Sequence, residues 1–264
     1  MLPYPDINPI ALSIGPIHIR WYGLMYLFGF AAAFGLAHWR VKRHALNWTA
    51  EQISDLIFFA ALGVIIGGRL GYLLFYPTPV GFQFPWSIFK VWEGGMSFHG
   101  GLLGVITAMI LFAYREHKSV WDVIDFAAVI TPFGLATGRL GNFINGELWG
   151  RVTNVPWAMV FPNAGPEPRH PSQLYEMGLE GIALLILLLW YARKPRPTGR
   201  IAAVFIMGYA LARFVVECFR EPDLPLGFVA LGWLTMGQLL SIPMFFIGLL
   251  LWWMRRHADL PSTS

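Results

Sequence analysis

Three observations predict an all-α polytopic membrane protein of about seven transmembrane helices. Of its 264 residues, 56% are hydrophobic and only 13% charged, and mean hydropathy is +0.54, outside the usual range for soluble domains. Seven apolar stretches approach the length of about 20 residues that crosses a bilayer. Basic clusters follow every second stretch, as the positive-inside rule requires of a chain that weaves through a membrane.

The first span is placed near 20–39 and ends on Arg40, Lys42 and Arg43; the second, near 53–76, ends without Lys or Arg. The third, near 97–114, precedes Arg115 and Lys118, and the fourth covers 122–142. The fifth, near 172–192, runs into Arg193, Lys194, Arg196 and Arg200; the sixth covers 200–219, and the seventh, 236–254, precedes Arg255 and Arg256. The basic ends are then cytoplasmic. The N-terminus and the loops 77–96, 143–171 and 220–235 lie outside, and the C-terminus lies inside. No repeat or linker divides the chain, so a single membrane domain is expected over 1–264, with loops 77–96 and 143–171 forming a small cap. Pro156, Pro162, Pro166, Pro168 and Pro171 make the second of these loops irregular. Residues 1–19 carry no Lys or Arg, so the basic region of a cleaved signal peptide is missing and the segment is expected to be retained.

Composition excludes several functions. The net charge of +4 is spread over helix ends, which fits membrane orientation and not nucleic-acid binding. One cysteine, Cys218, permits no internal disulfide and no multi-thiolate metal site, and His99 and His170 lack ligand spacing, so neither a metal nor a cofactor is expected. No phosphate-binding loop of the Gly-x-x-x-x-Gly-Lys type appears.

Counting along the spans puts the unusual polar residues in one leaflet. Tyr22 opens span one, Arg69 sits in the outer half of span two and His99 opens span three. Arg139 and Asn142 close span four; His170 and Glu176 open span five; Arg213 and Glu217 share a face of span six, with Arg220 beyond them. The stretch Gly138 to Gly150 sets Arg139, Asn142, Asn145 and Glu147 among glycines and aromatics. A charge at membrane depth costs about 2.5 to 3.5 kcal/mol at the bilayer centre on insertion scales, so Arg139 is either half of a buried ion pair or part of an anion site. Arg69, Arg139, Arg213 and Arg220 are expected to exceed their local carboxylates, and the planar guanidinium suits a phosphate. Ser172 reads as the N-cap of span five, and Asp55 and Asp125 as first-turn acids at cytoplasmic helix starts. A phospholipid is the natural occupant of such a pocket, as substrate or as structural companion.

The chain resembles the bacterial phosphatidylglycerol:prolipoprotein diacylglyceryl transferases. The resemblance rests on the 138–150 stretch, His99-Gly100-Gly101, Arg169 to Glu176, and Tyr209, Arg213, Glu217 and Arg220, with Trp21 to Leu24 and Gly67-Gly68-Arg69 in the same order. It implies a multi-pass enzyme of the bacterial inner membrane, its site toward the periplasmic leaflet. Such an enzyme transfers a diacylglyceryl group from phosphatidylglycerol to the lipobox cysteine of a preprolipoprotein signal peptide, forming a thioether and releasing glycerol phosphate. His99, Arg139, Arg213 and Tyr22 are then the catalytic candidates. Arg139, Asn142, Asn145, Glu147, Gly150, Arg69, Glu217, Arg220 and His170 are the substrate-binding ones. The nucleophile belongs to the substrate, so Cys218 need not react. A lipid or anion transporter would use the same arginines but would continue its polar residues to the other side; a scaffold would leave their gathering in one leaflet without a purpose.

Overall fold

The structure, a computed structural model, describes residues 2–5, 7–15, 17–44, 46–75, 95–222 and 227–260. It is mostly helical, with small hairpins at two places. A hairpin of β1 (Ile10–Ile14) and β2 (Ile17–Arg20) leads into α1 (Trp21–His44), α2 (Ala50–Phe75), α3 (Phe98–Arg115) and α4 (Val120–Ile144). Next come α5 (Ser172–Tyr191), α6 (Arg200–Val216), the short hairpin β3 (Phe228–Ala230) with β4 (Leu234–Thr235), and α7 (Met236–Met254).

Among the described residues, six helices are long and apolar enough to cross a membrane; α6 has 17 residues and falls just below that length. The sixth expected span stops at Val216 because Glu217 to Phe219 turn and Arg220 enters a β-bridge with Gly150. The N-terminal hairpin was not expected, although alternation around Gly15-Pro16 (Ile10, Leu12, Ile14, then Ile17, Ile19) is its signature. Loop 77–96 lies outside the described residues except for its last two.

The chain divides into two compact units, one from Met1–Leu36 and Asp125–Pro261, the other Ala37–Ile124. In the second, α2 and α3 pack along Gly63, Gly67 and Gly71 against Gly100, Gly104 and Ala108, a small-residue stripe at four-residue spacing on both helices. A Cβ on Gly67 would strike the Gly100 carbonyl oxygen, and one on Gly104 the Gly63 carbonyl oxygen. Backbone contact is the means of packing here, since helices in lipid gain little from apolar burial against each other. Asp55 lies five residues into α2 and pairs with Arg115 at 3.0 Å, so it is a cross-helix partner and not a first-turn acid.

In the first unit, α1 lies on α4 through Gly29 against Thr137 and Phe28 against Phe133, α4 on α5 through Ala136 against Gly181, and α6 on α7 through Met207 against Gly248. Asp125 also departs from expectation. It sits past the first turn of α4, and its carboxylate accepts from the backbone N–H of Gly199 and of Ala202, both at 2.7 Å, which caps α6 from a neighbouring helix. Segment 145–171 contains no helix, in keeping with its prolines. It folds over the end of α4 around Phe143, Met159 and Phe161, against which Tyr4, Trp149 and Leu174 pack. Tyr4 donates to the Phe143 carbonyl at 2.6 Å, satisfying one of the last carbonyls of α4.

Candidate active site

The polar residues of the first unit gather where α4, α5, α6 and the start of α7 meet. The centre of α5, Met177–Ala183, is π-helical, and Glu176 and Glu180 stand at and within this wide turn, both with 0% exposure. Such turns are common at functional sites. Arg139 Nε lies 2.9 Å from Glu176 Oε2, and its Nη2 lies 3.5 Å from Glu180 Oε2. Arg213 donates to Glu176 Oε1 at 2.9 Å, to Glu180 Oε1 at 3.5 Å, and closely to Glu217, its neighbour one turn on. Arg220 reaches Glu217 at 3.2 Å and Glu176 at 3.7 Å.

Three guanidiniums are therefore set against three buried carboxylates, Glu176, Glu180 and Glu217. This corrects the expected excess of arginine in this group, and it gives Arg139 its partners on α5. The sequence reasoning overlooked Glu180. Its signal was visible: a second acid four residues after Glu176 in a span where each carboxylate is expensive. Arg139 and Arg213 also hold the pair together by balancing its charge, because a lone buried carboxylate would carry a desolvation penalty of several kcal/mol.

The pairing is unequal. Arg213 makes aligned hydrogen bonds, but Arg139 makes none among the described residues despite its short distances, and no described group donates to Glu176 Oε2 or Glu180 Oε2. Arg139 is held by charge while its N–H groups keep their donor capacity. Glu217 is fixed further by the Thr235 hydroxyl, which donates to Oε2 at 2.7 Å while its oxygen caps α7 by accepting from the Gln238 N–H.

Beside this cluster, Asn142 donates to Glu147 Oε1 at 3.0 Å and Asn145 to the same oxygen at 3.3 Å. The Gln173 side chain donates to the Glu147 carbonyl at 2.6 Å. Ser172 donates to the Leu148 carbonyl at 2.9 Å and makes no cap; Pro171 is the N-cap residue, so the expected Ser172 cap is corrected to a clamp on the 145–150 turn. Tyr22 of α1 packs on Gly141 and bonds Tyr26 at 3.0 Å. Gly150 is enclosed: a Cβ would meet the Phe219 carbonyl oxygen at 2.5 Å and the His170 backbone oxygen at 2.8 Å, between the strands that its N–H and that of Arg151 join.

His170 packs among Tyr175 and Phe219. The Trp157 indole donates to Tyr175 Oη at 2.6 Å, and Tyr175 Oη lies 3.0 Å from Nδ1 of the neutral His170 imidazole. Burial holds its pKa below the usual value, in accord with that assignment. His99 and Arg69 belong to the other unit. His99 is an exposed second residue of α3, behind the Ser97 N-cap, and buried Arg69 donates to the Gly95 carbonyl at 3.2 Å.

Helices long enough to span a bilayer, closed around balanced buried charges, define a multi-pass membrane protein with a polar interior site. The chain belongs to the prolipoprotein diacylglyceryl transferase family, which it matches over residues 9–254. It is 61% identical over 256 residues to a phosphatidylglycerol--prolipoprotein diacylglyceryl transferase of Legionella pneumophila (strain Lens), covering 97% of this chain and all of that protein. It is 58% identical over 260 residues to the protein of the same name from Coxiella burnetii (strain RSA 331 / Henzerling II), covering 98% of this chain and all of that one.

Proposed function

We infer that this chain transfers the diacylglyceryl group of phosphatidylglycerol to a prolipoprotein cysteine, the first step of lipoprotein maturation. The family membership supports the reaction, and the donor capacity left on Arg139 supports the site. The thiol sulfur attacks the glycerol carbon of the diacylglyceryl group and forms a C–S bond; the C–O bond to phosphate breaks, and glycerol phosphate leaves with the electron pair. The thiol proton passes to a base. A free thiol has a pKa near 8.5, so this proton must be drawn off or its loss favoured by nearby positive charge.

Arg139 and Asn142 bind the lipid phosphate in this reading. Arg213 stabilises the negative charge that gathers on the leaving group, the kind of interaction that lowers a barrier because it strengthens in the transition state. Glu217, tied to Thr235 and Arg220, orients Arg213, and Glu176 with Glu180 fixes the distance between Arg139 and Arg213. Asn145, Glu147 and Gly150 shape the turn beside the phosphate. His99 is the first choice for the base and Tyr22 has an assisting role, while Arg69, Arg220 and His170 are assigned to substrate binding. Loop 143–171 serves, with loop 77–96, as a periplasmic cap. The lipobox signal peptide approaches from the inner membrane, in which seven helices place the N-terminus outside and the C-terminus inside. The test is reconstitution with phosphatidylglycerol and a lipobox peptide. Arg139→Ala and His99→Gln should each abolish transfer, and a Ser-for-Cys peptide should release no glycerol phosphate; normal transfer by both variants would sink the assignment.

A further inference from the structure

At the far end of the first unit from Arg213 lies a second cationic group that the transfer reaction does not use. Arg213 and Arg200 are 13 residues apart on α6, about 20 Å at 1.5 Å per residue. The Arg200 guanidinium stacks 3.9 Å over the Trp252 ring, and Arg256 stacks 4.7 Å over Trp253. Among the described residues neither arginine donates a hydrogen bond, and the buried Arg200 Nε has no acceptor. Their neighbours are committed: Arg255 is held by Thr198, Arg193 by the Trp190 carbonyl and Arg196 by the Tyr191 carbonyl. Both oxygens of Asp125 are taken by backbone N–H groups at the start of α6, and Asp259 is exposed.

The same two tryptophans close an apolar groove of about 420 Å³, lined also by Phe246, Leu249 and Leu250 on α7. An open apolar groove with two ring-stacked guanidiniums at its end has the chemistry to hold a glycerophospholipid with an anionic headgroup. The chain lies along α7, and the phosphate accepts from the in-plane N–H groups that stacking leaves open. We propose that Arg200 and Arg256, with Trp252 and Trp253, form a selective site for an anionic phospholipid in the leaflet opposite the Arg139 cluster. A lipid fits better than a free anion because headgroup and chain sites are continuous.

The full-length chain is placed in phosphatidylcholine nanodiscs containing a minor fraction of brominated-acyl phosphatidylserine or brominated-acyl phosphatidylcholine, with no peptide present. Neither lipid is phosphatidylglycerol, so the outcome is independent of the transfer reaction. The quenching that belongs to Trp252 and Trp253 is the difference between the parent chain and W252F/W253F. Brominated phosphatidylserine should be favoured about 25-fold at these rings, about fivefold for each of the two arginines near an anionic headgroup. R200Q/R256Q should remove the preference while leaving quenching by phosphatidylcholine; if that variant loses its helical circular dichroism, R256Q alone should lower it to about fivefold. Equal quenching by both lipids overturns the site. So does displacement by millimolar inorganic phosphate, which would assign a free anion, or loss of all quenching when two chains share a disc, which would assign a second copy.

Discussion

Glu180 and Arg139 meet at the least satisfied contact of the buried cluster, and replacement there separates charge from geometry. Glu180→Gln keeps the shape but leaves three guanidiniums on two carboxylates, and should lower stability by about 3 kcal/mol, read from chemical unfolding in detergent. Arg139→Lys keeps the charge and loses the planar fork; it should retain the fold and lower kcat/KM for transfer by about 100-fold, the cost of one aligned donor. His170 sets a pH dependence. Its folded pKa lies below the ordinary value of about 6.5, so the unfolded chain binds the proton more readily. The contribution of His170 is full above that value and is lost as pH falls from it through the lowered folded pKa. Unfolding midpoints should therefore drop on acidification through this window, and His170→Gln should flatten that part of the profile. At this scale Arg213 with Glu217 was legible, because four-residue spacing names its own partner. Glu176 with Arg139 was not, since nothing local in the sequence says which helices become neighbours.

Helix pairs are set by small residues and by one long-range cap. Gly104→Leu on α3 would press a side chain into the α2 backbone; it should destabilise the α2–α3 pair by about 1 to 3 kcal/mol or more, with faster amide exchange over both helices. Asp125→Asn should weaken the cap of α6 by about 1 kcal/mol, raising exchange in the first turn from Arg200 while leaving α7 unchanged. The apolar runs made these helices readable to within a few residues. Asp125 misled because a carboxylate near its own helix start looks like a local cap, while its partners lie over 70 residues away. Hairpin β1–β2 escaped notice because an apolar alternation of five residues is short beside seven long apolar runs.

For the whole molecule, composition and the rhythm of basic ends were enough to establish membrane insertion, and the family follows from motifs spread across the chain. The balance of charge within the cluster was not readable, because it depends on which carboxylates fold inward. The π-helical stretch of α5 fixes how the two halves of that helix are clocked about their common axis. A π turn takes up one residue more than the α turn it replaces, so removing one residue between Met177 and Ala183 would let the α ladder close while the two flanking halves kept their bearing. Leu184 and Leu188 would stay on the buried face, and the side chains displaced would be those inside the turn, Glu180 among them. A change of length by a single residue would thus be spent inside the turn, respacing the carboxylates while the packing below stayed in place.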